Sequence, residues 1–208
     1  MIIVGLTGSV GTGKTEISKY LTRNKIPVFE SDKHVRKIHD KKTIQEKIFK
    51  AFPEAISEKK INRRTLAEIV FNDQNKLNKL ENIIHTELNK VQKKWIKKKL
   101  TERKKIVVLD VPLLFEKDNL EKYDLKILLT CSRNVQRIRV IKRKDWDVKR
   151  YDLTVSKQMS ELEKKVLADK IIHTDRGKRY ALSEINTVLC ELKYKKNRLT
   201  SSIIKEFN

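Results

Sequence analysis

The sequence contains no hydrophobic run that approaches the roughly 20 apolar residues a membrane-spanning helix needs. Its first residues also enter an apolar, strand-like segment without a basic stretch before it, so we expect no signal peptide. We therefore expect a soluble, cytoplasmic protein that does not bind a membrane. A chain of 208 residues suits one compact α/β unit, with room for inserted subdomains.

Cysteine is scarce, and the cysteines form no recognisable motif. Cys131 and Cys190 are the only two, and neither belongs to a C-x-x-C pattern. Such cysteines are typical of reduced, structural thiols rather than of a disulfide scaffold. The four histidines make no metal-ligand cluster in sequence, so we see no zinc site.

Acidic residues are too few to balance the basic ones: 49 Lys and Arg oppose 27 Asp and Glu, which leaves a net charge of +22. Nucleic acid, a polyanionic small substrate, or solvated helix faces could each account for this excess. Lysines recur along the whole chain, at 41–50, 90–105 and 193–205, and aromatic residues make up only 6%. We therefore favour solvated helix faces, then a small anionic substrate, and we rank nucleic acid last.

The most informative segment is Gly8–Thr15, which reads Gly-Ser-Val-Gly-Thr-Gly-Lys-Thr and matches the phosphate-binding loop pattern G-x-x-x-x-G-K-[ST]. Glycines let the backbone N–H groups approach a polyphosphate. Lys14 is placed to reach the β- and γ-phosphates, and the Thr15 hydroxyl to bind Mg²⁺. An apolar run precedes the loop and a helical pattern follows it, as this chemistry requires. The segment predicts a nucleotide phosphate site.

Five apolar segments are typical of buried parallel strands, at 2–6, 26–29, 106–110, 125–130 and 168–172. Helical patterns separate them, so the sequence predicts an α/β P-loop NTPase fold with a five-stranded parallel sheet flanked by helices. Residues 33–105 have apolar side chains at helical spacing and are too long for a simple crossover. We therefore interpret them as an inserted helical subdomain.

Carboxylates follow two of the predicted strands. Glu30 and Asp32 lie beyond the second strand, and Asp110 closes the third. Because ligands bind outside the carboxyl ends of such strands, these groups could hold Mg²⁺ or accept a proton from an attacking hydroxyl. Asp32 could instead simply cap a helix. Arg139 and Arg143 share a predicted helix face that could line the nucleotide or only face solvent.

Taken together, several segments resemble the dephospho-coenzyme A kinase family, in order from the N-terminus to about Gly177. They are Gly8–Thr15, Glu30-Ser31-Asp32, Leu80-Glu-Asn-Ile-Ile-His85, Leu109-Asp-Val-Pro-Leu-Leu-Phe-Glu116, Gln136-x-x-Arg139-x-x-x-Arg143 and Gln158. The resemblance implies transfer of the ATP γ-phosphoryl group to the ribose 3′-hydroxyl of dephospho-coenzyme A. This is the last step of coenzyme A synthesis, with ATP as co-substrate and Mg²⁺ as cofactor.

The resemblance also implies a division of the chain. A kinase core would comprise 1–32 and 106–208, with a lid at about 143–160, and 33–105 would hold the acceptor, within one family domain of about 2–200. We expect a monomer or a small homo-oligomer.

Roles for individual residues follow from the same resemblance. Asp32 matches the catalytic carboxylate, acting with Lys14, Arg139 and Arg143. The nucleotide would lie on Gly8, Gly11, Thr12, Gly13, Lys14, Thr15 and Glu16. The acceptor would contact Glu30, Asp32, His85, Asp110 and Gln158. Thr15 and Asp110 would hold the metal.

The chain departs from the family pattern at Glu30, Thr86 and Thr174, where the family usually has Asp, Pro and Asn. Two other readings remain open: a P-loop kinase for another small metabolite, and a nucleic-acid-binding NTPase.

Overall fold

The computed structural model describes residues 1–57, 60–117 and 119–194, and it divides the chain into two compact units. The first unit comprises Met1–Glu30 and Ile96–Asn208, and the second comprises Ser31–Trp95. The basic tail and the predicted end of the last helix at Lys195 lie outside the described residues.

The strands, in chain order, are β1 (Ile2–Thr7), β2 (Val28–Glu30), β3 (Ile56–Ser57), β4 (Lys60–Ile61), β5 (Ile106–Asp110), β6 (Leu125–Thr130) and β7 (Lys170–His173). The α-helices are α1 (Lys14–Arg23), α2 (Ser31–His39), α3 (Lys42–Ala51), α4 (Arg63–Phe71), α5 (Gln74–Thr101), α6 (Leu114–Lys117), α7 (Arg133–Ile141), α8 (Val148–Ser156), α9 (Glu161–Leu167) and α10 (Lys178–Tyr194). No helix in the described part of the chain combines the length and the hydropathy that a membrane span requires.

The first unit is built on a five-stranded sheet in the order β2-β5-β1-β6-β7, with every pair parallel. β1 and β5 are buried along their whole length, which is why both read as continuous apolar runs. The chain moves from β1 to one edge of the sheet for β2 and to the other edge for β6 and β7. The order therefore reverses beside β1, and such a switch point is where ligands bind in open α/β sheets.

Helices α1 and α10 bury their apolar stripes with the sheet in one hydrophobic core. The helix α10 contributes Ile185, Val188 and Leu192 at helical spacing, and α1 contributes Ile17 and Leu21. This core fixes the position of α1, which begins at the end of the phosphate loop.

The second unit contains α2, α3, α4 and most of α5, together with the short antiparallel pair β3–β4. Asn62 begins α4 as an N-cap, because its side chain accepts hydrogen bonds from the backbone N–H groups of Arg64 and Thr65. Ile38, Ile48 and Phe52 are almost fully buried in this unit.

The predicted five-stranded parallel sheet is confirmed, with small differences at strand ends. The second strand is Val28–Glu30 rather than 26–29, and the last is Lys170–His173 rather than 168–172. The pair β3–β4 was not predicted, because two residues per strand are too few to show alternation. Arg143 lies beyond the end of α7, and the chain then forms α8 (Val148–Ser156) and α9 (Glu161–Leu167), which a turn separates.

Gly5 lets two buried side chains pack directly onto the middle of β1. A Cβ atom at this position would lie 2.5 Å from Leu114 Cδ1 and 2.8 Å from Tyr123 Cδ1, and both residues are buried. Contacts this short force the tyrosine ring and the start of α6 to move.

We predict that Gly5→Ala lowers the free energy of unfolding by about 1–3 kcal/mol, because the buried neighbours have no space for the methyl group. Each kcal/mol corresponds to a fall in Tm of about 2–4 °C for a chain of this size, measurable by thermal unfolding. Ser183→Ala, an exposed position in α10, is the control and should change stability by less than about 0.5 kcal/mol. Equal Tm values for the two variants would contradict the prediction.

Candidate active site

The phosphate loop is closed by its own backbone. Thr12 donates to the carbonyl oxygen of Ser9 through its N–H at 3.2 Å and through its hydroxyl at 2.8 Å. Gly11 and Gly13 have φ angles of 83° and 88°, in the left-handed region that favours glycine. Gly13 is the N-cap of α1, so the first N–H groups of this helix face the loop, as an anion site requires.

Lys14 and Asp110 form an ion pair beside the loop. The Lys14 Nζ atom lies 2.5 Å from Asp110 Oδ1, and the Ser18 hydroxyl donates to Oδ2 at 2.7 Å. The parallel register explains this meeting, because Leu6 near the end of β1 lies opposite Asp110 at the end of β5. Ser18 is one helical turn beyond Lys14 and therefore lies on the same side of α1.

Glu30 lies at the same edge of the sheet, opposite Asp110 in the β2–β5 register. The structure thus brings the phosphate loop, Glu30 and Asp110 together at the carboxyl ends of three adjacent strands. Asp32 and His85 belong to the second unit, where Asp32 is in the first turn of α2 and His85 is on α5. Both side chains are exposed.

Thr15 and Asp110 present oxygen atoms, which are the ligands that Mg²⁺ prefers. Thr15 is exposed in the first turn of α1. Each Asp110 oxygen has two lone pairs, and Oδ1 accepts from Lys14 while Oδ2 accepts from Ser18. In the described ranges no three His, Cys, Asp or Glu side chains come together as a metal site. Mg²⁺ takes few protein ligands and fills its shell with water and phosphate oxygens, so two oxygen-bearing side chains suffice. The donor set therefore fits Mg²⁺.

Thr174 joins the loop to the ends of β6 and β7. Its buried hydroxyl lies 2.8 Å from the carbonyl oxygen of Thr12 and 3.2 Å from that of Thr130. Arg139 donates from Nη1 to this hydroxyl and from Nη2 to the Thr174 carbonyl, each at 2.9 Å. The Thr174 side chain thus makes its hydrogen bonds within the protein, and these bonds hold Arg139 beside the loop.

A cavity of about 320 Å³ opens beside the loop. Ile17, Ala181 and Leu182 give it an apolar wall, and Arg139, Arg143 and Lys178 supply positive charge. Glu16 at the same cavity pairs with Lys178, whose hydrogen bond lowers the pKa of this carboxyl group, with a smaller contribution from Lys19. An apolar wall with cations near a phosphate loop suits a nucleotide whose base packs on the wall.

Gln136 of α7 connects the phosphate loop to α8. The amide nitrogen of this buried residue donates to the Val10 carbonyl at 2.7 Å, and its oxygen accepts from the Tyr151 hydroxyl at 3.0 Å. Tyr151 is fully buried in α8, and burial raises the pKa of its phenol. Gln158 follows α8, and its side-chain oxygen is buried without a partner in the described part of the chain.

The second unit has its own cavity of about 730 Å³. Its lining includes the basic residues Arg36, His39 and Arg63 and the apolar residues Leu66 and Val70. Burial, and then the charge of Arg63, lowers the pKa of His39, so this imidazole is neutral at pH 7. The cavity is thus both apolar and cationic.

Several residues of the site were not predicted from the sequence. Ser18 and Lys178 contact Asp110 and Glu16, and Ser9 contacts Lys164. Each is a common residue in a charged segment, so no local pattern distinguishes it. Only Ser9 carried a signal, because it lies inside the phosphate-loop motif.

Comparisons with known proteins agree on one family. The family model described as dephospho-CoA kinase (CoaE) matches residues 2–179. The dephospho-CoA kinase of Bartonella quintana is 36% identical over 176 residues, which cover 85% of this chain and 90% of that protein. The structure of TT1252 from Thermus thermophilus superposes with a TM-score of 0.81 at 28% identity, covering 92% and 97% of the two chains. The dephospho-CoA kinase of Campylobacter jejuni shares the fold, with a TM-score of 0.67, 22% identity and coverage of 89% and 96%.

We predict that Thr174→Val lowers the free energy of unfolding by about 1–3 kcal/mol, because valine keeps the shape but leaves buried polar groups unpaired. The Thr12 carbonyl oxygen and Arg139 Nη1 each lose their hydrogen bond to the Thr174 hydroxyl. Denaturant unfolding measures this change. Thr187→Val removes an exposed hydroxyl that bonds only its own helix, at the Ser183 carbonyl, and should cost less than about 0.5 kcal/mol. A similar loss in both variants would show that the Thr174 hydroxyl is not structurally important.

Proposed function

The chain belongs to the dephospho-CoA kinase family, and we propose that its phosphate loop, Asp110 and Asp32 together transfer the ATP γ-phosphoryl group to the 3′-hydroxyl of dephospho-CoA. The observation that carries this assignment of roles is the meeting of the loop, Glu30 and Asp110 at one edge of the sheet. The reaction completes coenzyme A synthesis. Phosphoryl transfer depends mostly on positioning and charge neutralisation, and this arrangement of groups supplies both.

ATP is the donor in this proposal, with its phosphates on the loop. The N–H groups of Gly11, Thr12 and Gly13 and the start of α1 would hold the β- and γ-phosphates. The base and ribose would occupy the cavity beside Glu16, with the base on the apolar wall and Arg139 and Arg143 near the phosphates. Gly8 directly follows β1 and begins the loop.

Lys14 changes partner in this scheme. In the structure it pairs with Asp110, and a polyphosphate would offer it several charged oxygens in place of one carboxylate. With Lys14 on the β- and γ-phosphates, the Thr15 hydroxyl would hold Mg²⁺ directly and Asp110 would hold it through water. Bound Mg²⁺ neutralises charge on the phosphate oxygens. Ser18 keeps the Asp110 carboxylate oriented during this exchange.

The acceptor is held by residues of the second unit, with Asp32 as the catalytic carboxylate. Asp32 would orient or deprotonate the 3′-hydroxyl, and Glu30 and His85 would contact the rest of the ribose region. The cavity with Arg36 and Arg63 suits a long acceptor that carries both phosphate and apolar groups. The exposed position of Asp32 leaves it accessible to such a ligand.

Residues 143–160 would act as a lid, with Arg143 and Gln158 approaching the nucleotide when it closes. The anchor at Tyr151 and Gln136 gives this segment a fixed base on the loop. The proposal also includes a cytoplasmic location and a monomer or small homo-oligomer.

A coupled assay of ADP release across acceptors tests the proposed function. We expect turnover with Mg²⁺-ATP and dephospho-CoA, and little with nucleoside monophosphates, shikimate or other small alcohols. RNA and DNA should not stimulate ATP hydrolysis. Stimulation by nucleic acid without turnover of dephospho-CoA would overturn the proposal, as would faster phosphorylation of another metabolite.

We predict that Lys14→Ala and Asp32→Asn each lower kcat/KM by about 10²–10³, because each removes a group that acts in the transition state. Steady-state kinetics measures the loss, and circular dichroism checks that both variants fold. Lys19→Ala in α1 and Glu68→Gln in α4 remove exposed ion-pair partners and serve as controls with near-normal rates. If Asp32→Asn keeps near-full activity across pH, Asp32 is not the base.

A further inference from the structure

A fully buried lysine lies beside the phosphate loop. Lys164, on α9, has no exposed side-chain surface. Its Nζ atom lies 3.0 Å from Glu116 Oε1 and 3.1 Å from the Ser9 hydroxyl oxygen, so it contacts both the loop and α6. The scheme above gives this ammonium group no role.

A gain in stability does not by itself explain why an ammonium group is buried at this position. Burying an ammonium ion carries a large desolvation cost, and an ion pair in a protein interior often stabilises no more than apolar side chains of the same volume. A methionine or leucine at position 164 would fill similar space without that cost. The ion pair therefore points to a requirement other than packing.

The first consequence of the contact is the position of Ser9. The Ser9 hydroxyl accepts from Lys164 and can donate its proton to Glu161 Oε2, which lies 3.4 Å away. The Ser9 carbonyl accepts both hydrogen bonds from Thr12 that close the loop. Lys164 thus holds the residue on which the turn before Gly13 and Lys14 depends.

The second consequence concerns the segment that follows α8. Glu116 Oε1 accepts from Lys164 and also from the backbone N–H of Met159 at 3.2 Å. One carboxylate oxygen therefore joins Lys164 to the residue directly after Gln158. The network links the loop to the end of residues 143–160.

The third consequence is electrostatic. Two carboxylates surround this one ammonium group: Glu116 pairs with it, and Glu161 accepts from the Ser9 hydroxyl of the phosphate loop. Glu116 Oε2, Glu161 Oε1 and Gln158 Oε1 are buried without a hydrogen-bond partner among the described residues. The cluster therefore has a surplus of acceptors, and removing Lys164 would leave its negative charge uncompensated close to the ATP phosphates.

We propose that Lys164 is a positioning residue for ATP: its ammonium holds Ser9 and the end of the 143–160 segment in one network and compensates Glu116 and Glu161 beside the phosphates. The inference rests on the proposed function only in taking the loop as the ATP phosphate site. It assigns Lys164 no contact with either substrate.

Lys164→Met tests the proposal, with Lys165→Met as the matched control on the same helix. We expect the Kd for ATP, measured by calorimetry, and the KM for ATP to rise about tenfold or more in Lys164→Met, the range for losing a charge-assisted hydrogen bond. The KM for dephospho-CoA should stay within about twofold, because the lost contacts concern the loop. Lys165→Met should match the unmodified protein in both constants.

Two further variants separate positioning from stability. Lys164→Met with Glu116→Gln removes one of the two carboxylates left uncompensated, so Tm should recover much of its loss. The Kd for ATP should recover only in part, because Ser9 is no longer held and Glu161 keeps its carboxylate. Ser9→Ala removes only the hydroxyl and should weaken ATP binding severalfold. Its loss of Tm should be smaller than that of Lys164→Met, because the ammonium keeps its ion pair with Glu116.

Full recovery of ATP affinity together with Tm in the double variant would overturn the proposal, since it would show that the contact with Ser9 contributes nothing to ATP binding. Unchanged ATP affinity in both Lys164→Met and Ser9→Ala would overturn it as well. Because calorimetry measures ATP binding without an acceptor, these outcomes differ from failure of the proposed function. That failure would appear as ATP binding by the unmodified protein with no turnover of dephospho-CoA.

Discussion

The parallel pairing of β1 with β5 is the constraint on which the nucleotide site depends. It places Asp110 opposite Leu6, two residues before the phosphate loop begins, so a carboxylate reaches the loop without any special local conformation. The same sheet places Glu30 beside Asp110. Because β1 lies between β5 and β6 and is buried on both faces, its end can move little. The phosphate loop and Asp110 thus lie at the ends of two strands that are buried along their whole length.

Buried hydrogen bonds from three separate elements hold the loop in shape. Thr174 reaches Thr12 from the end of β7, Gln136 reaches Val10 from α7, and Lys164 reaches Ser9 from α9. Each contact uses a polar group that would be costly to bury unpaired. The protein's own contacts therefore fix the shape of the loop, which lowers the entropic cost of binding a phosphate there.

The positive charge of the chain has two different uses. Many lysines form exposed ion pairs such as Lys76 with Glu54, which contribute little to stability and keep the helices solvated. A few cations have defined surroundings instead: Lys14 beside Asp110, Arg139 on Thr174, and Lys164 within the buried cluster. The amino-acid composition does not distinguish the exposed cations from those with defined surroundings, whereas the burial of each side chain does.

The sequence by itself determined the phosphate loop, the strands and the acids that end them, because these are local patterns of glycine, apolar runs and carboxylates. Resemblance to a family predicted Arg139 and Arg143 near the nucleotide, and both residues line the cavity beside the loop. Only the tertiary structure decided which groups meet: Lys14 with Asp110 across 96 residues, and Lys164 with Ser9 across 155. A buried lysine in a helix rich in Glu and Lys has the same local pattern as a solvated one. Its environment is set by packing between distant elements, which no local pattern records.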